Sequence, residues 1–128
     1  INNINFNSKY LNRKKKVLKI KNNNLIQKKI PIKVITLDKF ISDKNINKID
    51  LLKIDTEGYE YNILKGLTNH HDKIKLIYFE HHYDDMIKKN YSFSNINKVL
   101  NDYGFIKKYK SKIFFRKSFE YIYVNKSI

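Results

Sequence analysis

Ile49-Asp-Leu-Leu-Lys-Ile-Asp-Thr-Glu-Gly-Tyr-Glu60 is the stretch that decides how this chain reads. Ile49 to Ile54 is a short apolar run suited to a buried strand, and Asp55-Thr-Glu-Gly58 breaks it at once. A helical pattern follows, with Tyr59, Ile63, Leu64 and Leu67 on one face and Gly66 near its end. Carboxylates at a helix start are favoured by the macrodipole, and Thr56 can cap free N–H groups. Asp55, Thr56 and Glu57 therefore read equally well as a plain cap and as the rim of a site.

Toward the C-terminus, Ile74 to Phe79 is a second apolar strand that runs into Glu80-His-His-Tyr-Asp-Asp85. Ile96, Val99, Leu100 and Tyr103 predict a helix stopped by Gly104. Three strand-like runs close the chain: Phe105 to Tyr109, Ile113 to Phe115 and Tyr121 to Val124. Toward the N-terminus, Thr36 is placed to cap a short helix carrying Leu37, Phe40 and Ile41. Before it, Ile30 to Ile35 alternates after Pro31 and reads as an exposed or edge strand. Residues 1–29 are a basic, Asn-rich segment. There, Val17, Leu18 and Ile20 suggest one strand of a hairpin, Asn22–Asn24 its turn and Leu25-Ile26 its partner. Strand, helix, strand, helix, then strands predicts an α/β domain over residues 30–128, a mostly parallel sheet ending in an antiparallel piece.

In such sheets ligands bind beyond the carboxyl ends of the strands. Asp55 and Glu57 after one strand and Glu80 after the next would share that rim. The residues here resemble the FkbM-type S-adenosylmethionine-dependent methyltransferases. The likeness is carried by Val34-Ile-Thr-Leu-Asp38, by Lys53-Ile-Asp-Thr-Glu-Gly-Tyr-Glu60, by Ile63-Leu-Lys-Gly66 and by Leu76-Ile-Tyr-Phe-Glu80, and it covers roughly residues 30–105. Thr56 stands where the family often has Val. The resemblance implies the second half of a class I, Rossmann-like methyltransferase sheet. Ile49–Ile54 would be the fourth strand, Ile74–Phe79 the fifth, and the terminal strands the sixth and the antiparallel seventh. It implies that Asp55 and Glu57 lie beside the reaction centre, with Thr56, Gly58 and Glu80 around substrate or donor. The implied reaction is O-methylation of a small molecule or glycan hydroxyl.

Gly58, Gly66 and Gly104 are too dispersed to form the Gly-rich turn that cradles a donor. The chain also begins with Ile. Both features predict a C-terminal fragment, with the main S-adenosylmethionine site in a missing N-terminal half. Of the histidines, His81 borders the expected cleft and can serve as acid or base near neutral pH. His82 lies in the same vicinity, but adjacent residues on a strand face opposite ways, so the two cannot easily chelate one ion. No histidine spacing matches a zinc site. A divalent cation held by Asp55 is a secondary option for the carboxylates. His70 and His71 read as a solvated loop.

Zero Cys excludes a disulfide framework, a Cys-ligated zinc site and a thiol nucleophile. No apolar run approaches the ~20 residues of a membrane span, and the Asn-rich start lacks a signal-peptide core, so the expected compartment is the cytosol. A net charge of +15 ordinarily points to nucleic acid. Here 25 Lys, 20 Ile and 17 Asn with no Ala are what an AT-rich coding bias produces, so nucleic acid is not the expected partner. Two other readings compete with the methyltransferase. In a metal-dependent nuclease or phosphoesterase, Asp55, Glu57 and Glu80 would hold cations. In a non-catalytic basic module, the Lys-rich arm would bind nucleic acid; the Arg13–Lys16 run otherwise reads as a solvated charge run, with holding an anionic acceptor such as a sugar phosphate or nucleotide-linked glycan, or contacting an anionic membrane, as its alternatives.

Overall fold

The computed structural model describes residues 3–22, 30–114 and 117–127. A four-stranded sheet in the order β2-β3-β6-β5 organises the chain, with β2 at Leu52–Ile54, β3 at Leu76–His82, β5 at Phe105–Lys112 and β6 at Ser118–Asn125. β2 runs parallel to β3, in register Leu52 to Ile77 and Ile54 to Phe79, and an isolated parallel bridge joins Ile49 to Ile74 ahead of it. β6 is antiparallel to both β3 and β5, so three strands point one way and only β6 is reversed. The chain is α/β, as the pattern predicts; of the three pairings in this sheet one is parallel and two are antiparallel. β3 extends past Phe79 to carry Glu80, His81 and His82, because Ser118 to Glu120 of β6 supply partners for them.

Helices α2 (Leu37–Asp43), α3 (Glu60–Lys65) and α4 (Phe93–Asp102) meet the sheet in one core. Ile41, Leu64, Ile96 and Leu100 pack with Ile54, Ile77, Phe79, Phe105, Tyr121 and Tyr123, all almost fully buried. Burying each such side chain contributes roughly 1.5–3 kcal/mol. The strand residues between them, Lys53, Tyr78, Glu120 and Ile122, are half-buried or exposed. Only one row of the pleat therefore meets the helices of this core.

Local chemistry explains the helix boundaries. The Thr36 hydroxyl accepts from the Lys39 N–H at 3.1 Å and caps α2. Ser92 and Asn95 form a capping box on α4. Asp38 ties α2 to the loop after α3, accepting from the N–H groups of Thr68 at 2.8 Å, Asn69 at 3.0 Å and His70 at 3.2 Å. Its partial burial opposes ionisation. The Thr68 hydroxyl and those N–H groups outweigh it and hold the carboxyl below its usual range.

Three expectations differ from the structure. Val17 and Leu18 end a helix, α1 (Lys9–Val17), rather than form a hairpin strand; Ser8 caps it, and Ile20 lies in the coil beyond. The hairpin's other strand, at Leu25-Ile26, falls outside the described residues. Ile30 to Ile35 is not a strand. Ile30, Ile32 and Val34 are exposed by 64%, 61% and 62%, because no neighbouring strand among the described residues pairs with them. Ile113 and Phe114 lie in the connection between β5 and β6, with Phe115 outside the described residues. A small second sheet was not anticipated: β1 (Asn3–Ile4) pairs antiparallel with β4 (Ile87–Lys88). No helix among the described residues is long and apolar enough to cross a membrane.

Candidate active site

The turn after β2 is held in an uncommon conformation. Glu57 has φ +50° and Gly58 φ +98°, two left-handed residues in succession. At Gly58 a Cβ would meet Ile87 Cγ2 at 2.9 Å, so glycine is required both by φ and by the approach of β4. Glu60, only 1% exposed, clamps the turn from below. Its Oε1 accepts from the Gly58 N–H at 2.8 Å and the Thr56 hydroxyl at 3.1 Å, and its Oε2 accepts from the Tyr91 hydroxyl at 2.6 Å. Burial and this contact with Glu60 push the Tyr91 hydroxyl far above the usual tyrosine range, so it stays protonated and donating.

The end of β3 supplies the other half. Alternation along the strand sends Glu80 and His82 to one side and His81 to the other. The His82 Nε2 lies 3.2 Å from Glu57 Oε2 and 3.4 Å from Glu80 Oε1, while its Nδ1 lies 3.6 Å from Asp84 Oδ2. The His82 and Asp84 side chains are buried, and Glu57 stays 58% exposed at the mouth. Lys89 donates to the His82 carbonyl from beneath; burial lowers its pKa, with Asp84 and Glu60 opposing. The tips of the two parallel strands thus converge through Glu57, Glu80 and His82. Asp55 shares the rim but pairs with Lys53 at 3.4 Å. On the same side, Tyr78 donates to Glu120, a bond that with burial raises the phenol to about 12.

His81 turns into an aromatic nest, edge-on to Tyr83 at 4.7 Å between ring centroids and 5.6 Å from Phe93. Burial first, then the nearby Lys89 charge, lowers its pKa from 6.5 to about 4. Folded protein therefore binds fewer protons at this site than unfolded chain between those two values. Its contribution to stability is complete above pH 6.5 and is lost as pH falls toward 4. His81→Phe, which keeps a ring in the nest, is expected to retain more of its pH 7 urea midpoint at pH 5 than the parent protein does. An equal drop in both would refute a buried neutral His81. His70 contacts Ser42 at 2.9 Å and His71 stacks on Tyr103, both away from the rim.

Beside Glu57 opens a groove of about 590 Å³, walled by Ile32, Val34, Thr56, Tyr59, Ile63 and Ile87. Its size falls within the range of small-molecule sites. Among the described residues no group of three or more His, Asp or Glu is arranged to hold a metal ion. Sequence reasoning missed Glu60, Asp84, Lys89 and Tyr91 as parts of this region. Glu60 stood inside the diagnostic stretch without a role, Asp84 was visible close behind the histidines but was given none, and nothing in the pattern marked Lys89 and Tyr91.

A family model described as the methyltransferase FkbM domain matches residues 4–107. That reach includes the N-terminal segment as far as β1 and α1. No curated protein and no solved structure matches the chain. With most of its length matched, and with the strand–turn–helix of residues 52–65 and the tip of β3 inside the match, the chain belongs to the FkbM methyltransferase family.

Proposed function

We propose that this domain transfers a methyl group from S-adenosylmethionine to a hydroxyl oxygen of a small molecule or glycan. The observation that carries the reading is the convergence of Glu57, Glu80 and His82 at the ends of two parallel strands, next to an open groove. The strand order β2-β3-β6-β5 with only β6 reversed supports assigning them to strands four, five, seven and six of a class I sheet. The rim suits the reacting end of the donor, since carboxylates complement a positively charged sulfur. Thr56, Gly58 and the groove wall would lie around it. When bound, S-adenosylmethionine supplies an activated methyl on that sulfur.

The residues of this chain do the rest. Glu57, exposed at the mouth, orients the acceptor hydroxyl and takes its proton. His82, with its Nε2 3.2 Å from Glu57 Oε2 and its Nδ1 3.6 Å from Asp84, is the neighbouring side chain to which Glu57 would pass that proton. We place His82 rather than His81 in the proton path because it is the histidine that faces the carboxylates. Asp55, released from Lys53, is the second carboxylate available to the acceptor. Alignment of acceptor and methyl would supply most of the rate.

Calorimetry of the whole gene product with S-adenosylmethionine, followed by labelled-methyl transfer to a panel of hydroxylated acceptors, tests the reading. Heat of binding and label on an acceptor oxygen are expected. Absence of donor binding, or label confined to nitrogen, would overturn it.

A further inference from the structure

Charge is distributed unevenly around α1. No Asp or Glu precedes Asp38 in the chain, whereas ten Lys and Arg residues do. Asn12, Lys15, Lys16 and Lys19 follow the i, i+3, i+4, i+7 spacing of one helical face. Past the helix end at Leu18, Lys19 adopts a left-handed φ of +54°. The Ile20 N–H then donates to the Lys15 carbonyl at 3.0 Å, which folds Lys21 back against the same side. These residues line a concavity of about 710 Å³ with no carboxylate among the described residues of its wall. Lysines in a last helical turn offset the helix dipole. That accounts for Lys14 to Lys16, but not for Lys19 and Lys21, which lie beyond the turn. Lysine side chains gathered around one hollow, with Lys15 Nζ also lying 5.5 Å from the Phe6 ring centroid, favour an anion there.

The hollow also adjoins the candidate site. Lys15 and Ile20 border a smaller apolar cavity of about 170 Å³ that includes Leu11, Met86 and Ile87. Ile87 in turn walls the groove beside Glu57. A basic hollow, an apolar cavity and a groove with an acidic tip therefore follow one another across β4. We propose that Lys15, Lys16, Lys19 and Lys21 bind a phosphate group carried by the acceptor, so that the acceptor is a phosphorylated hydroxyl compound with an apolar stretch lying against Ile87. The phosphate site stands on its own geometry; its assignment to the acceptor rests on the methyl-transfer reading.

Titration of the intact protein with inorganic pyrophosphate at low salt tests the site directly. Lys16→Gln with Lys19→Gln is expected to weaken binding by about tenfold or more, the loss typical of removing hydrogen bonds to a charged group. Lys108→Gln with Lys112→Gln, on exposed β5, should change it less than about twofold, as expected for scattered surface charge. No pyrophosphate binding, or equal losses in both pairs, would overturn the proposal. Co-sedimentation with phosphatidylglycerol vesicles, against phosphatidylcholine controls, separates the sources. Pelleting that pyrophosphate reverses assigns the phosphate to a lipid headgroup, and pyrophosphate binding without pelleting assigns it to a soluble compound. Glu57→Gln should lower transfer by about 10²–10⁴-fold and leave pyrophosphate binding intact. If methyl transfer is never found yet pyrophosphate binds through these lysines, the site stands and its link to the acceptor falls.

Discussion

Glu60→Ala should lower the stability of the domain by about 3–5 kcal/mol. The buried carboxylate is the shared acceptor for the Gly58 N–H, the Thr56 hydroxyl and the Tyr91 hydroxyl. Removing it strands donors, and each buried unsatisfied donor costs about 1–3 kcal/mol. A urea midpoint measured at pH 7 reads the loss. Tyr91→Phe, which removes a single donor to the buried carboxylate, should cost about 1.5–3 kcal/mol, the worth of a hydrogen bond to a charged group. Because the same clamp holds Glu57 and Gly58 in their left-handed conformations, methyl transfer by Glu60→Ala should fall even at temperatures where the protein remains folded. A Glu60→Ala protein within 1 kcal/mol of the parent, on the scale of an ordinary surface substitution, would mean that the turn is held by something else.

Glu57→Gln is the sharpest test of the chemistry. The substitution keeps shape and removes the charge that would receive the acceptor proton. Transfer should drop by about 10²–10⁴-fold, the usual contribution of a positioned acid or base. Stability should change little, because the side chain is 58% exposed. Asp55→Asn should have the smaller effect, since its carboxylate is turned toward Lys53. A Glu57→Gln enzyme with undiminished kcat would remove Glu57 from the proton path and move attention to Asp55.

The elements with a strong period were legible from the sequence. The apolar runs before residue 55 and before residue 80 became β2 and β3, and the 3.6-residue spacing of Ile96, Leu100 and Tyr103 became α4 with its cap. Where local preference needed a distant partner, the reading diverged. Ile30 to Ile35 alternates as a strand should, yet the described residues offer it no ladder. Val17 favours strand individually, but the lysine run before it and Ser8 as a cap carry the helix through it to its end at Leu18, and Ile20 is left in coil. For the histidines, period two correctly separates positions 81 and 82. Which of them meets the carboxylates depends on which pleat row the helices cover, and that is a tertiary fact. Glu60 shows the same limit. Its letter sits in the motif, while its function arises only when Tyr91, 31 residues later, arrives beneath it.

The position of β6 has a consequence for how this domain comes into being. It lies between β3 and β5 and, among the described residues, is the only strand that touches both, yet it follows both of them in the chain. While a ribosome is still making the residues before Ser118, β3 and β5 have been synthesised but lack the strand that joins them. The sheet's inner seam therefore closes late, by long-range pairing, which is the slow and association-prone kind of folding step. A nascent chain that stalls in the connection before β6 would present two bare strand edges to its neighbours in the polysome, and it would depend on chaperones until β6 emerges.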